Sequence, residues 1–162
     1  MTTNSDSLDP RKISPDVINR AVGALVGQAV ADALGAYFEF GPAGQFLKRF
    51  PSPVLTGMGE MIGGGAFNWA PGEFTDDTQM AVALAESLIA FGGRFDPAHT
   101  FDRFVAWSKG ARDIGSTTAA ALGSGKSWHE ASTYGHSLLG RSGGNGGVMR
   151  VVPVAIAGTR WS

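Results

Sequence analysis

Apolar residues return at helical intervals along most of this chain, in segments separated by glycine, proline and short polar runs. In the most regular segment Met80, Leu84, Leu88 and Phe91 recur at helical spacing, with Val82 and Ile89 on another side and alanines between. That pattern predicts a helix, and a helix apolar on nearly every face belongs in a core. Pro71-Gly72 marks a turn before it. Thr75 or Asp76 offers the short oxygen-bearing side chain that accepts from the free amides of a first turn. Gly92-Gly93 ends the helix.

An earlier helix starts at Ser14-Pro15, serine as cap and proline at the first helical position. It runs through Val17, Ile18, Val22, Leu25, Val26, Ala29, Val30, Ala33 and Leu34 to Gly35, with Gly23 and Gly27 on one side. Asp32 sits in this apolar setting, where an unpaired charge is expensive; it is expected to cap a neighbouring helix rather than to catalyse. Gly41 to Gly72 reads as a functional loop, long for a compact domain. Asp96-Pro97 opens a helix to Lys109, with Phe101, Phe104, Val105 and Trp107 as core candidates. A helical stretch Ala119 to Leu122 is broken by Gly123-Ser124-Gly125, and Ser127-Trp128-His129-Glu130 is a capping box opening a short helix. An apolar helical run follows Arg150, with Pro153 expected to kink it. No segment alternates with the period of a strand. The fold class is all-α: a tail over residues 1–13 and one domain over 14–162.

Composition narrows the function classes. The 162 residues are 43% hydrophobic with a formal net charge of -1, which gives no electrostatic reason to expect nucleic acid or an anionic membrane. Without cysteine there are no disulfides and no thiolate metal sites, and a cytoplasmic location is the expectation. The first nine residues lack the regions of a signal peptide. Ala21 to Phe40 is interrupted by Gln28, Asp32 and Glu39 and makes a poor membrane span. The 24 glycines sit at segment ends without a repeat, as tight loops require. Gly63-Gly64-Gly65 is not a phosphate loop: it lacks the Gly-Lys-Ser/Thr ending and no strand precedes it.

Candidate chemistry gathers at few places. Thr75-Asp76-Asp77-Thr78 crowds hard oxygen donors at one helix start, which suits Mg²⁺, Mn²⁺ or Ca²⁺ better than zinc. The plainer reading is an acidic cap, and both stand. Glu39, flanked by Tyr37, Phe38 and Phe40, reads on its own as a surface residue on a short turn. Asp113 reads on its own as an N-cap. Arg141 to Arg150 holds four glycines whose backbone could approach a ligand and offer amides to anionic oxygens; a flexible turn is the alternative. His99, His129 and His136 have no ligand spacing and read as surface or structural.

These segments together resemble the ADP-ribosylglycohydrolase family, over the chain from about Ala21 onward. Gly72-Glu73-Phe74-Thr75-Asp76-Asp77-Thr78-Gln79-Met80 is similar to its first metal motif. Ala31-Asp32-Ala33-Leu34-Gly35 resembles Gly-Asp-Ala-Leu-Gly, with Ala31 for the first glycine, and Glu39 follows at the family spacing. Asp113-Ile114-Gly115 matches an Asp-Ile-Gly motif, from which Ser116 departs where asparagine is usual. The last glycine-rich segment resembles Gly-Asn-Gly-Gly-x-Met-Arg. The resemblance implies a compact orthogonal helical bundle around a two-metal site. It implies hydrolysis of the glycosidic bond of ADP-ribosyl groups on a protein or small-molecule acceptor. Thr75, Asp76 and Asp77 would hold Mg²⁺ or Mn²⁺, and Glu39 would be the general base or water-orienting acid. Asp113 would position the ribose, and Ser142, Gly143, Gly144, Asn145 and Gly146 would hold the diphosphate and adjoining ribose. The family's second acidic cluster, of Asp-x-Asp-Thr type, does not occur in this sequence, so a truncated enzyme with weak metal binding is expected. The rivals are a non-catalytic ADP-ribose-binding or crystallin-like structural member, an inactive fragment, and an unrelated Mg²⁺-dependent phosphohydrolase using Asp76 and Asp77.

Overall fold

Helical periodicity carries through into three dimensions. The structure is a computed structural model that describes residues 13–52, 60–140 and 143–159. Among those residues there are seven helices and no strand, only an isolated antiparallel bridge between Gly64 and Trp69. Of the expected 1–13 tail, only Ile13 is described.

Helix α1, Pro15–Gly35, starts as predicted: Ser14 Oγ accepts from Val17 N at 3.4 Å, and proline fills a position whose amide needs no partner. By length and composition alone it could cross a membrane, with 21 residues at a mean hydropathy of 1.2. Gln28 and Asp32, four apart and so on one face, instead bind the start of the central helix and the segment near Met149. Ala33 is its only buried residue, and Val22 and Val26 stand more than half exposed, at 53% and 55%.

The segment 41–72 is not loop throughout. It contains helix α2, Gln45–Arg49, which proline- and glycine-rich flanks concealed. Phe38, just after α1, meets Phe46 and Phe50 edge to face at 5.3 and 6.3 Å and so holds α2. The three adjacent glycines make a tight reversal rather than an anion cradle. A Cβ on Gly63, whose φ is 64°, would meet Trp69 O at 2.5 Å, and one on Gly65 would meet Ala36 O at 3.0 Å.

Helix α3, Asp76–Ala90, is central: it packs on α1, on α4 (Pro97–Ser108) and on α7 (Val152–Gly158). Met80, Leu84 and Leu88 are buried as their spacing requires. Val82 and Ile89 are not, being 47% and 78% exposed, so the helix is buried over part of its circumference rather than on nearly every face. On α4, Asp96 accepts from His99 N at 2.8 Å as the expected cap. Its core candidates Phe101, Phe104, Val105 and Trp107 are half-buried, and Thr100 is the fully buried residue. Helix α5, Ser116–Leu122, packs closely on α6, Trp128–Leu139, because Gly135 lets the α5 backbone approach. At the start of α6, Ser127 Oγ donates to Glu130 Oε2 at 2.8 Å, so the capping-box residues bind each other. Pro153 does not kink a helix. The helical run begins later than its apolar pattern suggests, and proline occupies the first turn of α7, where no amide is lost.

Candidate active site

The first turn of α3 has no local cap. Thr75 holds the N-cap position, yet its Oγ1 donates to Asp32 Oδ1 at 2.7 Å instead of accepting from the turn. Asp32 performs the capping from α1, accepting from Thr75 N and Thr78 N, each at 3.0 Å to Oδ2. This is the helix-capping role expected of Asp32. Asp113 is not the cap of its own helix, where Gly115 stands; its Oδ2 accepts from Asp76 N at 3.0 Å. Two carboxylates from distant elements therefore satisfy the amides at this end. The carboxylates of Asp76 and Asp77 are left to line a cleft of about 870 Å³.

The walls of that cleft come from the end of α1 and the turn after it, the start of α3, the start of α5 and the segment 144–149. It gathers Glu39, Thr75, Asp76, Asp77, Asp113, Gly144, Asn145 and Gly146. Gly143 is described but does not line it, and Ser142 lies outside the described residues. Glu39 and Phe40 are the middle residues of a turn closed by Gly41 N donating to Phe38 O at 3.1 Å. Asn145 O accepts from Val148 N at 2.8 Å. The loop glycines 143, 144 and 147 have ordinary φ and open space where a Cβ would stand, so neither the backbone nor the packing demands glycine there. Arg150 anchors the loop: its Nη1 donates to Met80 Sδ at 3.1 Å and its guanidinium lies 5.0 Å from the Phe104 ring.

The electrostatics follow from crowding. Burial, then Asp113, Asp77 and Glu39, push Asp76 up to about 7. Glu39 is exposed in its turn, and partial desolvation at the cleft wall, followed by the charge of Asp77, raises it. Asp77 is raised by burial and by Asp32, and Asp113 by burial against the opposing pull of its backbone hydrogen bonds. Asp113 Oδ1 is buried with no partner. As they stand, no three acidic or imidazole side chains among the described residues are arranged to hold a metal ion.

Gln28 is a site residue that motif and spacing do not single out. Its Nε2 donates to Asp77 O at 3.2 Å and to Met149 O at 2.7 Å, tying the acidic helix start to the end of the glycine loop. The available signal is its place one turn before Asp32 in the stretch 21–35, where these two are the polar side chains. The histidines are structural or superficial as expected. His99 Nδ1 meets Ser87 Oγ at 2.9 Å, while His129 and His136 are exposed. A smaller cavity of about 420 Å³, between α3 and α4 beside Trp107, contains none of the cleft acids.

Fold and site together define an all-helical protein built around an acid-lined cleft that faces a glycine-rich loop. The ADP-ribosylglycohydrolase family model matches residues 13–161, and the chain belongs to that family. It is 39% identical over 144 residues to the ADP-ribosyl-[dinitrogen reductase] glycohydrolase of Rhodospirillum rubrum, covering 88% of this chain and 46% of that protein. It is 37% identical over 147 residues to the ADP-ribosylarginine hydrolase Tri1 of Serratia proteamaculans, covering 86% of this chain and 37% of the relative. A solved structure, an ADP-ribosylglycohydrolase-related protein complex, superposes with a TM-score of 0.60 at 34% identity, covering 86% of this chain and 43% of that one. The chain thus spans less than half the length of each of these proteins.

Proposed function

We propose that this cleft binds an ADP-ribosyl group and hydrolyses its glycosidic bond to the acceptor with a bound Mg²⁺ or Mn²⁺. The observation that carries the reading is the meeting, in one cleft, of the α3 acids with a loop whose glycines serve neither φ nor packing. Open backbone of that kind lets a diphosphate approach amide donors closely. Gly144, Asn145 and Gly146, which line the cleft, are assigned that role. The names of the relatives support the substrate class, and an ADP-ribosylated protein is the proposed partner.

The oxygen chemistry of the donors suits a hard divalent cation, although their side chains do not converge as they stand. Asp76, Asp77 and Thr75 supply oxygen ligands, and the unpartnered Asp113 Oδ1 adds an acceptor at the same place. Held by Asp76, Asp77 and Thr75, such an ion would supply Lewis acidity toward a water and the ribose hydroxyls. Glu39, which lines the cleft and is raised above the usual carboxylate range, accepts the proton of the attacking water. The water oxygen bonds to the anomeric carbon of the ribose as the carbon–acceptor bond breaks, and the leaving group takes the proton that Glu39 accepted. The carboxylate of Asp113 faces the positive charge that grows on the ribose as that happens.

Asp77→Ala tests this. Metal affinity should fall by about tenfold or more and turnover of ADP-ribosylarginine should disappear together, since one anionic ligand of a hard-cation site is gone. Full metal affinity and activity in that variant would reduce the cluster to a cap. A second reading, binding without catalysis, draws on the lack of three convergent acidic or imidazole ligands among the described residues. It predicts ADP-ribose binding that ignores Mn²⁺ and no turnover by the native sequence.

A further inference from the structure

Phe40 breaks two rules at once, and it does so inside the cleft. It occupies the third position of the turn Phe38–Gly41 with φ at 63°, in the left-handed region where such turns take glycine or asparagine. A bulky side chain there is strained by an amount on the order of 1 kcal/mol. Burial does not compensate, because Phe40 is 73% exposed. The ring is nevertheless held in place. Phe67 meets it at 5.8 Å with the planes 69° apart, an edge-to-face contact. Phe67 in turn rests 6.0 Å from Trp69, which is 3% exposed and carries the Arg112 guanidinium 4.1 Å from its ring. A strained, exposed aromatic that lines the cleft is thus braced from the core outward.

Its surroundings select what the ring can meet. Phe40 follows Glu39 directly, and Glu39 lies within electrostatic reach of Asp77, Asp113 and Asp32. The face of an aromatic ring is electronegative, and among carboxylates it draws a cation. A planar cation gains stacking as well, which an ammonium or a hydroxyl does not. We propose that Phe40 is a specificity-determining residue whose ring stacks on the acceptor joined to the ribose, favouring a guanidinium over a hydroxyl-linked acceptor. The assignment rests on the cleft binding ADP-ribosyl groups, as proposed above. The nucleotide end belongs to the glycine loop, so the ring contributes to acceptor choice and not to the common part of the ligand.

Three variants of the full chain separate these contributions: Phe40→Asn, which suits the left-handed backbone, Phe40→Leu, which keeps apolar bulk, and Phe40→Tyr, which keeps the ring. Affinities for an ADP-ribosylarginine peptide, an ADP-ribosylserine peptide and ADP-ribose are read by competition against a fluorescent ADP-ribose, over times short against any turnover. The native chain should prefer the arginine peptide. Phe40→Asn and Phe40→Leu should weaken that peptide by about threefold to tenfold, the range of one cation–π contact, while ADP-ribose changes by less than about twofold. Phe40→Tyr should retain the preference, and Phe40→Asn should keep the thermal midpoint, since asparagine tolerates positive φ. Equal loss for all three ligands, no loss for any, or a native preference for the serine peptide would overturn the proposal while leaving the cleft an ADP-ribosyl site. Failure of the native chain to bind any of the three would remove both readings.

Discussion

Burial and its carboxylate neighbours keep Asp76 protonated over a range in which a free aspartate, with its ordinary value of 3.8, is charged. Between about pH 4 and 7 the unfolded chain therefore holds fewer protons at this residue than the folded one. Stability changes with pH in proportion to protons bound unfolded minus protons bound folded, so this group makes the metal-free protein less stable as pH rises through that window. Thermal melts in chelator should show a falling midpoint from pH 4 to 7, with a shallower fall for Asp76→Asn; equal slopes would mean that Asp76 titrates normally. Asp32 acts as a cap, its oxygens occupied by Thr75 N, Thr75 Oγ1 and Thr78 N. Asp32→Ala should lower unfolding free energy by about 1–3 kcal/mol in urea denaturation, with partial recovery in Asp32→Asn, which keeps an acceptor. A loss under about 0.5 kcal/mol would show that water replaces the cap. Asp32 was readable as a cap because a charge in an apolar helix must find donors. Which helix it caps was not readable, because that depends on how α1 crosses α3. Phe40 was hidden for a related reason: φ is a property of the folded turn, and nothing in Tyr-Phe-Glu-Phe announces it.

At the level of elements, the start of α5 is placed by the helix behind it. A Cβ on Gly135 of α6 would stand 3.3 Å from Ala121 N and 3.4 Å from Thr117 O, so the two helices touch through backbone. Gly135→Val should push α5 away, costing about 1–3 kcal/mol of stability as overpacking does. Because Thr117 and Thr118 line the cleft, it should also weaken ADP-ribose binding. Normal stability with normal binding would mean that the pair can slide apart freely. Helices with a cap and a regular apolar stripe, α1, α3 and α4, were legible with ends correct to within a residue or so. Helix α2 was not, since its five residues carry too little periodicity and are held by aromatic contacts to Phe38. Helix α7 starts later than its apolar run, because such a run continues through a turn as readily as through a helix.

For the whole molecule, the balance of apolar surface matters most along α1. Ile18, Val22, Val26 and Val30 are 46–55% exposed, and Val82 and Ile89 of α3 add to the uncovered apolar surface. Contiguous exposed apolar surface favours association. Val22→Gln with Val26→Gln should leave the unfolding free energy within about 0.5 kcal/mol while reducing self-association in light scattering. A loss above about 2 kcal/mol would show that these side chains are covered in solution. The extent of burial was the part least legible beforehand: periodicity says which side of a helix is apolar, but packing decides which apolar side meets a partner.

The capping of α3 from afar also sets an order in time. Its first turn waits for Asp32, 43 and 46 residues back from the amides it binds, and for Asp113, 37 residues ahead. During synthesis the helix body leaves the ribosome well before Asp113 does, and until then the amide of Asp76 has only water. Closing loops of that length precedes any reward from the contacts they bring. The acids are therefore drawn together late, after the hydrophobic body of α3 has begun to pack, and like charges meet only when the surrounding protein is already there to hold them.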